Sequence, residues 1–340
     1  MVRIAIVGIG KMGLSLYSII NMHDRVKVVA ICDKSGYMLD ILAKYSGVKT
    51  YSDFNTMLDR EDLDAVIVAT PSQFHYPLVK TALDRGLHVY CEKPFTLDPV
   101  QSRELADLAE AKGLVNQVGY HNRFVGAFQE VKRLLDLKAI GKVSHILAEA
   151  YGPVVLRPKG TTWRTDRKQG GGCMYDYAAH PLNLATWYLG EPQRVGGSVM
   201  NSIFSQGIDD EVYGTLFFAG GTTVQLSVNW SDESYRKMST KLSIWGSRGR
   251  IIADRQEIQV YLTDEVALPG GYVRGWNTHN TTELTNPVSF YVRGEEYSAE
   301  LDNFVQLILG AGGAPVSTFE SSVATDKAIA MLINDAAVTQ

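Results

Sequence analysis

A glycine-rich turn between a strand and a helix constrains the fold of this chain more than any other feature. The turn Gly8-Ile9-Gly10-Lys11-Met12-Gly13 follows an apolar run and opens a helix-like stretch. A bare GxGxxG is weak evidence, but here the second glycine lets the backbone approach a pyrophosphate whose charge rests on a helix N-terminus. The pattern therefore predicts a dinucleotide site. Its expected phosphate-binding residues are Gly8, Gly10, Lys11, Met12 and Gly13.

Strand-like and helix-like segments alternate through residues 1–121. The apolar runs are Val2 to Val7, Val26 to Ile31, Ala65 to Ala69, His88 to Cys91 and Leu114 to Val118. Helical stretches lie between them at Tyr76 to Arg85 and at Pro99 to Lys112. Continuous apolar strands joined by helices imply a parallel sheet that is covered on both faces. We therefore predict an N-terminal Rossmann domain, which is a doubly wound α/β sheet.

Asp33 ends the second predicted strand, about 20 residues after the glycine turn. A carboxylate at this position accepts hydrogen bonds from a ribose diol, and its charge disfavours the 2′-phosphate of NADP. The sequence thus favours NAD as the cofactor. Lys34 and Ser35 keep NADP open as an alternative, since both side chains suit a phosphate.

Polar residues also follow the third predicted strand. In AVIVATPSQFH, Thr70, Pro71 and His75 lie just past its carboxyl end, the edge where open α/β sheets bind ligands. We therefore include all three among the cofactor-binding candidates. For His75 the alternative is a histidine at a helix start with a purely structural function.

The stretch YCEKPF brings two opposite charges to the same edge of the sheet. Glu92 and Lys93 end the strand HVYC, and Pro94 holds Lys93 out of the helical region. Glu92 can accept a hydrogen bond from the nicotinamide ribose or carboxamide, while Lys93 places a cation beside the reacting carbon and oxygen. The Lys93–Pro94 bond is a candidate for the cis form. The alternative is a surface ion pair of little consequence.

Length and composition limit the classes of protein to which the chain can belong. A chain of 340 residues favours two domains, and we expect a dinucleotide-binding domain at 1–121 and a substrate-binding and oligomerisation domain at 122–340. The net charge of −4 gives no support to nucleic-acid binding. Cys32, Cys91 and Cys173 are too scattered for a disulfide framework or a cysteine zinc site. No apolar run approaches the roughly 20 residues of a membrane helix. We expect a cytoplasmic protein without metal, membrane or nucleic-acid partners.

Beyond His121 the pattern changes to short alternating strands. In TVQLSVNW, apolar and polar residues alternate from Thr223 to Trp230, which is typical of a sheet with one buried face. AGGT and GSRG have the composition of hairpin turns. We predict an open, predominantly antiparallel sheet with helices on one face. A final helix is predicted near Phe319 to Ala337.

The order GIGKMG, Asp33, TPSQFH, CEKP resembles the glucose-fructose oxidoreductase, inositol dehydrogenase and rhizopine catabolism family. The Glu-Lys-Pro signature is the most specific of these marks. The resemblance implies a nicotinamide-dependent oxidoreductase that acts on sugars or cyclitols. It also implies association into a homodimer or homotetramer through the C-terminal sheet. Gln73 departs from the family pattern, where asparagine is more frequent, and so does Ala178, where glycine is frequent.

A second family signature lies in QGGGCMYDYAAHPLNLATWYLGEP. On that match Asp176 and His180 carry over as catalytic residues beside Lys93, with Asn183 as a neighbour. The residues themselves support this role, because Asp176 and His180 are four apart on a predicted helix and share one face. Moving hydride from a secondary alcohol also requires removing the hydroxyl proton, which suits an imidazole. Either His180 or a buried Lys93 is the acid/base group, and Asp176 orients His180 or binds a hydroxyl.

Two alternatives for this helix stay open. In the first, Asp176 and His180 form an ordinary pair on the helix surface, and such a pair contributes little to stability. In the other they bind a metal together with Cys173 or His121, although no compact ligand set accompanies them.

A basic segment precedes the triple glycine and contains Arg157, Lys159, Arg164, Arg167 and Lys168. It is either a lid that pairs with an anionic substrate or a solvated loop. Trp163 and Tyr151 either stack on a sugar or pack in the interior. The full set of predicted substrate residues is Lys93, Arg123, Tyr151, Trp163, Arg164, Asp176, His180 and Asn183.

The function that these residues predict is hydride transfer between NAD(P) and a secondary alcohol or ketone of a sugar, cyclitol or sugar derivative. The enzyme is accordingly a sugar or polyol dehydrogenase or ketoreductase. One alternative is a nucleotide-sugar or sugar-acid dehydrogenase, which the basic segment motivates. A dinucleotide-binding sensor without catalysis is the alternative of another class. A third is redox-assisted glycoside cleavage.

Overall fold

The structure is a computed structural model that describes residues 1–154, 163–265, 270–288, 290–291 and 294–339. The strands of this part are β1 Val2–Val7, β2 Val26–Cys32, β3 Lys49–Tyr51, β4 Ala65–Val68, β5 His88–Cys91, β6 Asn116–Val118, β7 Val143–Tyr151, β8 Arg194–Asn201, β9 Glu211–Phe217, β10 Thr223–Asn229, β11 Ser239–Gly246, β12 Gly249–Ala253, β13 Glu257–Leu262 and β14 Gly275–Asn280. The helices are α1 Lys11–Ile20, α2 Gly36–Ser46, α3 Phe54–Arg60, α4 His75–Asp84, α5 Pro99–Ala111, α6 Gly126–Asp136, α7 Ala179–Leu189, α8 Thr281–Leu284, α9 Glu295–Ile308 and α10 Phe319–Thr339.

The chain divides into two compact units. The first contains Met1–His121 and Pro287–Val323, and the second contains Asn122–Asn286 and Ala324–Gln340. The expectation that all of residues 122–340 belong to the second domain is wrong for Pro287–Val323. The reason is hydrophobic: Leu301 and Phe304 of α9 are fully buried in the same core as the strands of the first unit.

The first unit is a Rossmann domain. Its strands are parallel in the order β3-β2-β1-β4-β5-β6. The strand order reverses between β1 and β4, which is the switch point where such sheets bind ligands beyond the carboxyl ends of their strands. The predicted strands are present, and the structure adds the short edge strand β3, which is too short and too polar to show in the sequence pattern.

The second unit is built on a sheet of order β14-β13-β12-β11-β7-β10-β9-β8 among the described residues. Its strands are antiparallel except for the parallel pair β7 and β10. The predicted alternation in β10 is confirmed, because Val224, Leu226 and Val228 are fully buried. The two predicted hairpin turns join β9 to β10 and β11 to β12. Helix α7 packs on β7, β10 and β11.

Among the helices in the described ranges, none is both long enough and apolar enough to span a bilayer.

Candidate functional site

Each glycine of the N-terminal turn has a different environment. Gly8 has a φ of +89°, and a Cβ there would lie 2.7 Å from the carbonyl carbon of Ala69. A Cβ on Gly13 would lie 1.9 Å from the carbonyl oxygen of Gly8. Gly10 is the exposed N-cap of α1, and a Cβ there would meet nothing within 4 Å. Packing within the chain thus requires Gly8 and Gly13, whereas Gly10 leaves open the place that a pyrophosphate needs.

We expect alanine at Gly10 and at Gly13 to have opposite effects. Gly10→Ala should leave thermal stability unchanged but weaken NADH binding by about tenfold or more, because the methyl group takes the place of the pyrophosphate. Gly13→Ala should lower the thermal unfolding temperature, because its methyl group collides with the Gly8 backbone. Fluorescence titration with NADH and thermal unfolding of both variants measure the contrast. Unchanged NADH affinity in Gly10→Ala would contradict the phosphate assignment.

Asp33 lies directly beside the glycine turn. Its carboxylate accepts hydrogen bonds from the backbone N–H of Ile9 at 2.6 Å and of Ser35 at 2.7 Å. The ammonium of Lys34 donates to the carbonyl oxygen of Ser52 at 2.9 Å. The two bonds from Ile9 and Ser35 hold the Asp33 carboxylate at the carboxyl end of β2, where a ribose diol is expected.

His75 connects two of the loops at the strand ends. Its Nδ1 lies 2.9 Å from the carbonyl oxygen of Pro94, and its Nε2 lies 2.9 Å from that of Thr70. Burial lowers the pKa of His75, and the neutral ring donates through only one of these nitrogens. Pro71 precedes a short 3₁₀ turn at Ser72–Phe74. These contacts give His75 a structural function between the loops, while its contact with a cofactor stays a prediction.

The Glu-Lys-Pro segment has the cis Lys93–Pro94 bond that the sequence made a candidate. The Tyr90 hydroxyl donates to Glu92 at 3.4 Å, and the backbone N–H of Lys93 donates to the other carboxylate oxygen of Glu92 at 3.3 Å. Glu92 is buried, with 8% exposed. The segment follows β5, so Glu92 and Lys93 lie at the same sheet edge as the glycine turn.

Sequence reasoning missed a buried acid that belongs with this segment. Glu300 of α9 is fully buried, and burial followed by the nearby charge of Glu92 raises the pKa of Glu300 well above its ordinary range. No local pattern reveals this residue, because only the packing of α9 in the first unit brings it near Glu92.

In the second unit the glycine-rich segment leads into a π-helical turn at Met174–Ala178, which continues as α7. Asp176 lies in the π-helical turn and His180 lies in the first turn of α7. They are 7% and 3% exposed, respectively, so neither is an ordinary surface residue. The pair therefore lies on a locally widened stretch of helix, a feature that is frequent at functional sites.

Asp209, which the sequence did not single out, anchors this turn. Its carboxylate accepts a hydrogen bond from the backbone N–H of Met174 at 2.6 Å, and its carbonyl oxygen accepts one from Cys173 at 2.8 Å. A Cβ on Gly172, whose φ is +108°, would lie 2.6 Å from a carboxylate oxygen of Asp209. Burial raises the pKa of Asp209. The only signal in the sequence is the acidic pair in GIDDEV, which does not reveal what it contacts.

Two arginines of the basic segment form ion pairs inside the second unit. Arg164 donates to Asp176 at 2.9 Å, and its guanidinium lies 4.5 Å from the ring centre of Trp163. Arg167 donates to Asp209 at 3.3 Å. Arg157 and Lys159 lie outside the described residues. The backbone N–H of Lys168 donates a hydrogen bond to the Asp166 carboxylate.

Arg123 and Asn183 contact each other. Arg123 is fully buried, and its Nε donates to the Asn183 side-chain oxygen at 2.8 Å. Asn183 in turn donates to the hydroxyl of Thr325 at 3.0 Å. Both predicted substrate residues therefore already make hydrogen bonds within the interior of the second unit.

Tyr151 lies on the sheet face opposite the π-helical turn. Its hydroxyl contacts the Ser227 hydroxyl at 2.8 Å, on the polar face of β10. The π-helical turn instead packs on the buried face, where Tyr177 meets Trp230. Because side chains alternate along a strand, Tyr151 points away from that turn. The prediction that Tyr151 stacks on a substrate held by that turn is therefore wrong.

The structure thus gathers the predicted cofactor residues at one edge of the first unit and joins Asp176, Arg164 and Trp163 in the second. Lys93 belongs to the first unit, and His180 belongs to the second. Within the described ranges there is no group of three or more His, Cys, Asp or Glu residues that could hold a metal ion.

Comparison with known families matches both halves of the chain. Residues 2–120 match a domain described as "Oxidoreductase family, NAD-binding Rossmann fold", of the GFO_IDH_MocA family. Residues 128–252 match the "GFO/IDH/MocA C-terminal domain".

Several relatives of known name are similar in sequence. The "D-glucoside 3-dehydrogenase" of Escherichia coli is 28% identical over 67% of this chain and 70% of its own length. The "2,7-anhydro-N-acetylneuraminate hydratase" of the same organism is 27% identical over 83% of this chain and 74% of its own. The "dTDP-3,4-didehydro-2,6-dideoxy-alpha-D-glucose 3-reductase" of Streptomyces violaceoruber is 32% identical over 53% of this chain and 52% of its own.

Solved structures share the fold over nearly the whole chain. A levoglucosan dehydrogenase in complex with NADH and L-sorbose superposes with a TM-score of 0.86, at 21% identity and with 99% of this chain and 97% of the other covered. An oxidoreductase domain protein from Kribbella flavida gives the same TM-score at 21% identity, with 100% and 98% covered.

Proposed function

This chain belongs to the GFO/IDH/MocA family of oxidoreductases and has its NAD-binding Rossmann domain, and on that premise we propose a specific reaction for it. The enzyme transfers hydride between NAD and a secondary alcohol or ketone of a sugar, cyclitol or sugar derivative. The names of its relatives support this substrate class, since they include a glucoside dehydrogenase and, among the solved structures, a levoglucosan dehydrogenase.

The observation that carries the proposal is the position of Lys93. The Glu92–Lys93 pair lies at the carboxyl end of β5, at the sheet edge that also bears the glycine turn and Asp33. A cation at this place suits the oxygen of a group that is reduced or oxidised at the nicotinamide. A mere dinucleotide-binding domain has no need of a lysine there.

The chemistry requires two transfers. When bound, NAD would supply the acceptor for the hydride of the substrate carbon, so the chain's own residues would have to take up the proton of the hydroxyl group. In our proposal His180 takes this proton as the carbon–oxygen double bond forms, and Lys93 stabilises the negative charge that develops on oxygen. Asp176 binds a neighbouring hydroxyl or orients His180. In the reverse direction His180 returns the proton to the oxygen.

We also propose that the protein forms a homodimer or homotetramer through the open face of its C-terminal sheet. Support comes from β13 and β14, where Tyr261 and Trp276 are 39% and 55% exposed and their ring centres lie 5.3 Å apart. Large aromatic side chains on an exposed sheet face are typical of association surfaces. Sedimentation analysis of the wild type and of Trp276→Lys tests this proposal.

The proposed reaction is tested with a substrate panel read at the nicotinamide absorbance. Free sugars, glycosides, cyclitols and nucleotide-linked sugars are each offered with NAD and with NADP. We expect turnover with at least one uncharged sugar or cyclitol and a preference for NAD, because Asp33 disfavours a 2′-phosphate. Binding of NADH without turnover of any candidate would instead favour the sensor.

Two other reactions have specific support and give different results in the same panel. The nucleotide-sugar alternative is supported by the Streptomyces violaceoruber relative, and it predicts turnover of nucleotide-linked sugars alone. The hydratase relative from Escherichia coli favours a reaction without net oxidation, such as redox-assisted glycoside cleavage. Release of free sugar without accumulation of NADH would identify that reaction.

A further inference from the structure

We propose that Arg164, Arg167 and Asp209 form an internal clamp that positions Asp176, and that Arg164 therefore does not serve as the receptor for an anionic substrate. The part of this inference that concerns the reaction rests on the proposed function, in which Asp176 contacts the substrate. The clamp itself rests only on contacts within the second unit.

The buried end of the clamp is Asp209, which is 2% exposed. Its carboxylate binds the N–H of Met174 at the start of the π-helical turn, and its backbone carbonyl binds the preceding N–H of Cys173. Two bonds from one residue thus fix consecutive peptide groups just ahead of Asp176. The close approach to Gly172 leaves no room for a side chain there.

The outer end of the clamp is formed by the two arginines. Arg167 supplies the positive charge that a buried carboxylate such as Asp209 needs. Arg164 pairs with Asp176, and the backbone carbonyl of Arg164 also accepts a hydrogen bond from the N–H of Gly172 at 3.2 Å. The side chain of Arg164 therefore holds Asp176 in the π-helical turn, and its backbone holds Gly172, two residues ahead of that turn.

This arrangement has a consequence for the substrate class. The Nε of Arg164 is bound to the Asp176 carboxylate, and this negative charge offsets part of the attraction of the guanidinium for an incoming anion. Arg164 is also stacked against Trp163, which limits its movement. The clamp therefore favours an uncharged sugar or cyclitol over a sugar acid at the position of Asp176.

Cys173 provides a readout that does not depend on catalysis. Its thiol is fully buried within the clamped segment, and buried thiols react slowly. In a Cys32→Ala and Cys91→Ala background it is the only thiol of the chain. The rate at which an aromatic disulfide reagent modifies Cys173 under native conditions then reports how often the segment opens.

We expect Asp209→Ala to speed this modification by about 10- to 100-fold, because the segment loses a buried, charge-assisted hydrogen bond. Asp209→Asn keeps an acceptor for Met174 and should have a smaller effect. Asp254→Ala is the matched control, since Asp254 accepts from the N–H of Gln256 in a hairpin turn elsewhere in this unit. Equal rates in Asp209→Ala and Asp254→Ala overturn the clamp. If Asp209→Ala does not fold, Asp209→Asn and Arg167→Gln are compared with the control on the same criterion.

The arginine is tested with Arg164→Gln and Arg164→Lys. Arg164→Gln should also speed the modification of Cys173. It should lower kcat on the panel substrate with little change in KM. Arg164→Lys should recover much of the kcat and much of the protection of Cys173. Glucuronate affinity in the presence of NADH, measured by calorimetry, should be the same in wild type and Arg164→Gln. If the wild type binds glucuronate and Arg164→Gln does not, Arg164 is a receptor for an anionic substrate, and our proposal for this arginine is wrong. The rate of Cys173 modification is measured without turnover, so failure of the proposed reaction is distinguishable from failure of the clamp.

Discussion

Replacing Lys93 with methionine should reduce turnover by about 10²- to 10⁴-fold, while NADH binding changes by less than about tenfold. Methionine keeps the length and the apolar stem of the side chain but removes its positive charge. The loss should therefore fall on the step in which charge develops on the substrate oxygen, since in our proposal the glycine turn and Asp33 bind most of the cofactor.

The measurement combines steady-state turnover on the panel substrate with an NADH titration of the same preparation. Lys80→Met is the matched control, because Lys80 forms an exposed ion pair with Glu104 at 3.0 Å in the same unit. Exposed ion pairs contribute little to stability because water and salt screen them, so this variant should retain wild-type turnover and thermal stability. Full activity in Lys93→Met would show that our assignment of the lysine is wrong, even with the fold correct.

Replacing His180 with glutamine should also reduce turnover by about 10²- to 10⁴-fold, and it should alter the pH dependence. Glutamine can donate and accept hydrogen bonds but does not titrate. If His180 moves the proton, the variant should lose one limb of the wild-type pH–rate profile, because glutamine cannot take up that proton. Lys93→Met should keep that limb in its residual activity.

The pH profiles of the two variants decide between His180 and Lys93 as the acid/base group. His145→Gln is the matched control, since His145 lies on the polar face of β7 and contacts the Thr223 hydroxyl at 2.8 Å. This control should keep both the rate and the profile of the wild type. If that limb persists in His180→Gln but disappears in Lys93→Met, the proton transfer belongs to the lysine.

Local sequence patterns were sufficient to predict the Rossmann domain and its glycine turn. The spacing of glycines after a strand specifies a turn in which Gly8 takes a positive φ and Gly13 touches the Gly8 backbone. These requirements involve residues that are close together in the chain, and so they can be recognised in the sequence. The same holds for the alternation in β10, where a period of two follows from strand geometry alone.

Contacts between distant segments were not predictable in this way. Glu300 lies near Glu92, and Asp209 binds the Met174 backbone, although these partners are far apart along the chain. No repeating pattern encodes such pairs, because burial and packing of whole elements bring them together. The assignment of Pro287–Val323 to the second domain was wrong for the same reason.

By itself, then, the sequence determined which turns, strands and charged residues lie at the end of each element, since short-range backbone geometry decides these. Only the tertiary structure decided what the charged residues contact. It placed His75 between two loops, turned Tyr151 to the opposite sheet face, and paired Arg164 with Asp176. The physical reason is that hydrogen bonds and ion pairs between remote residues form only after hydrophobic burial has brought their elements together.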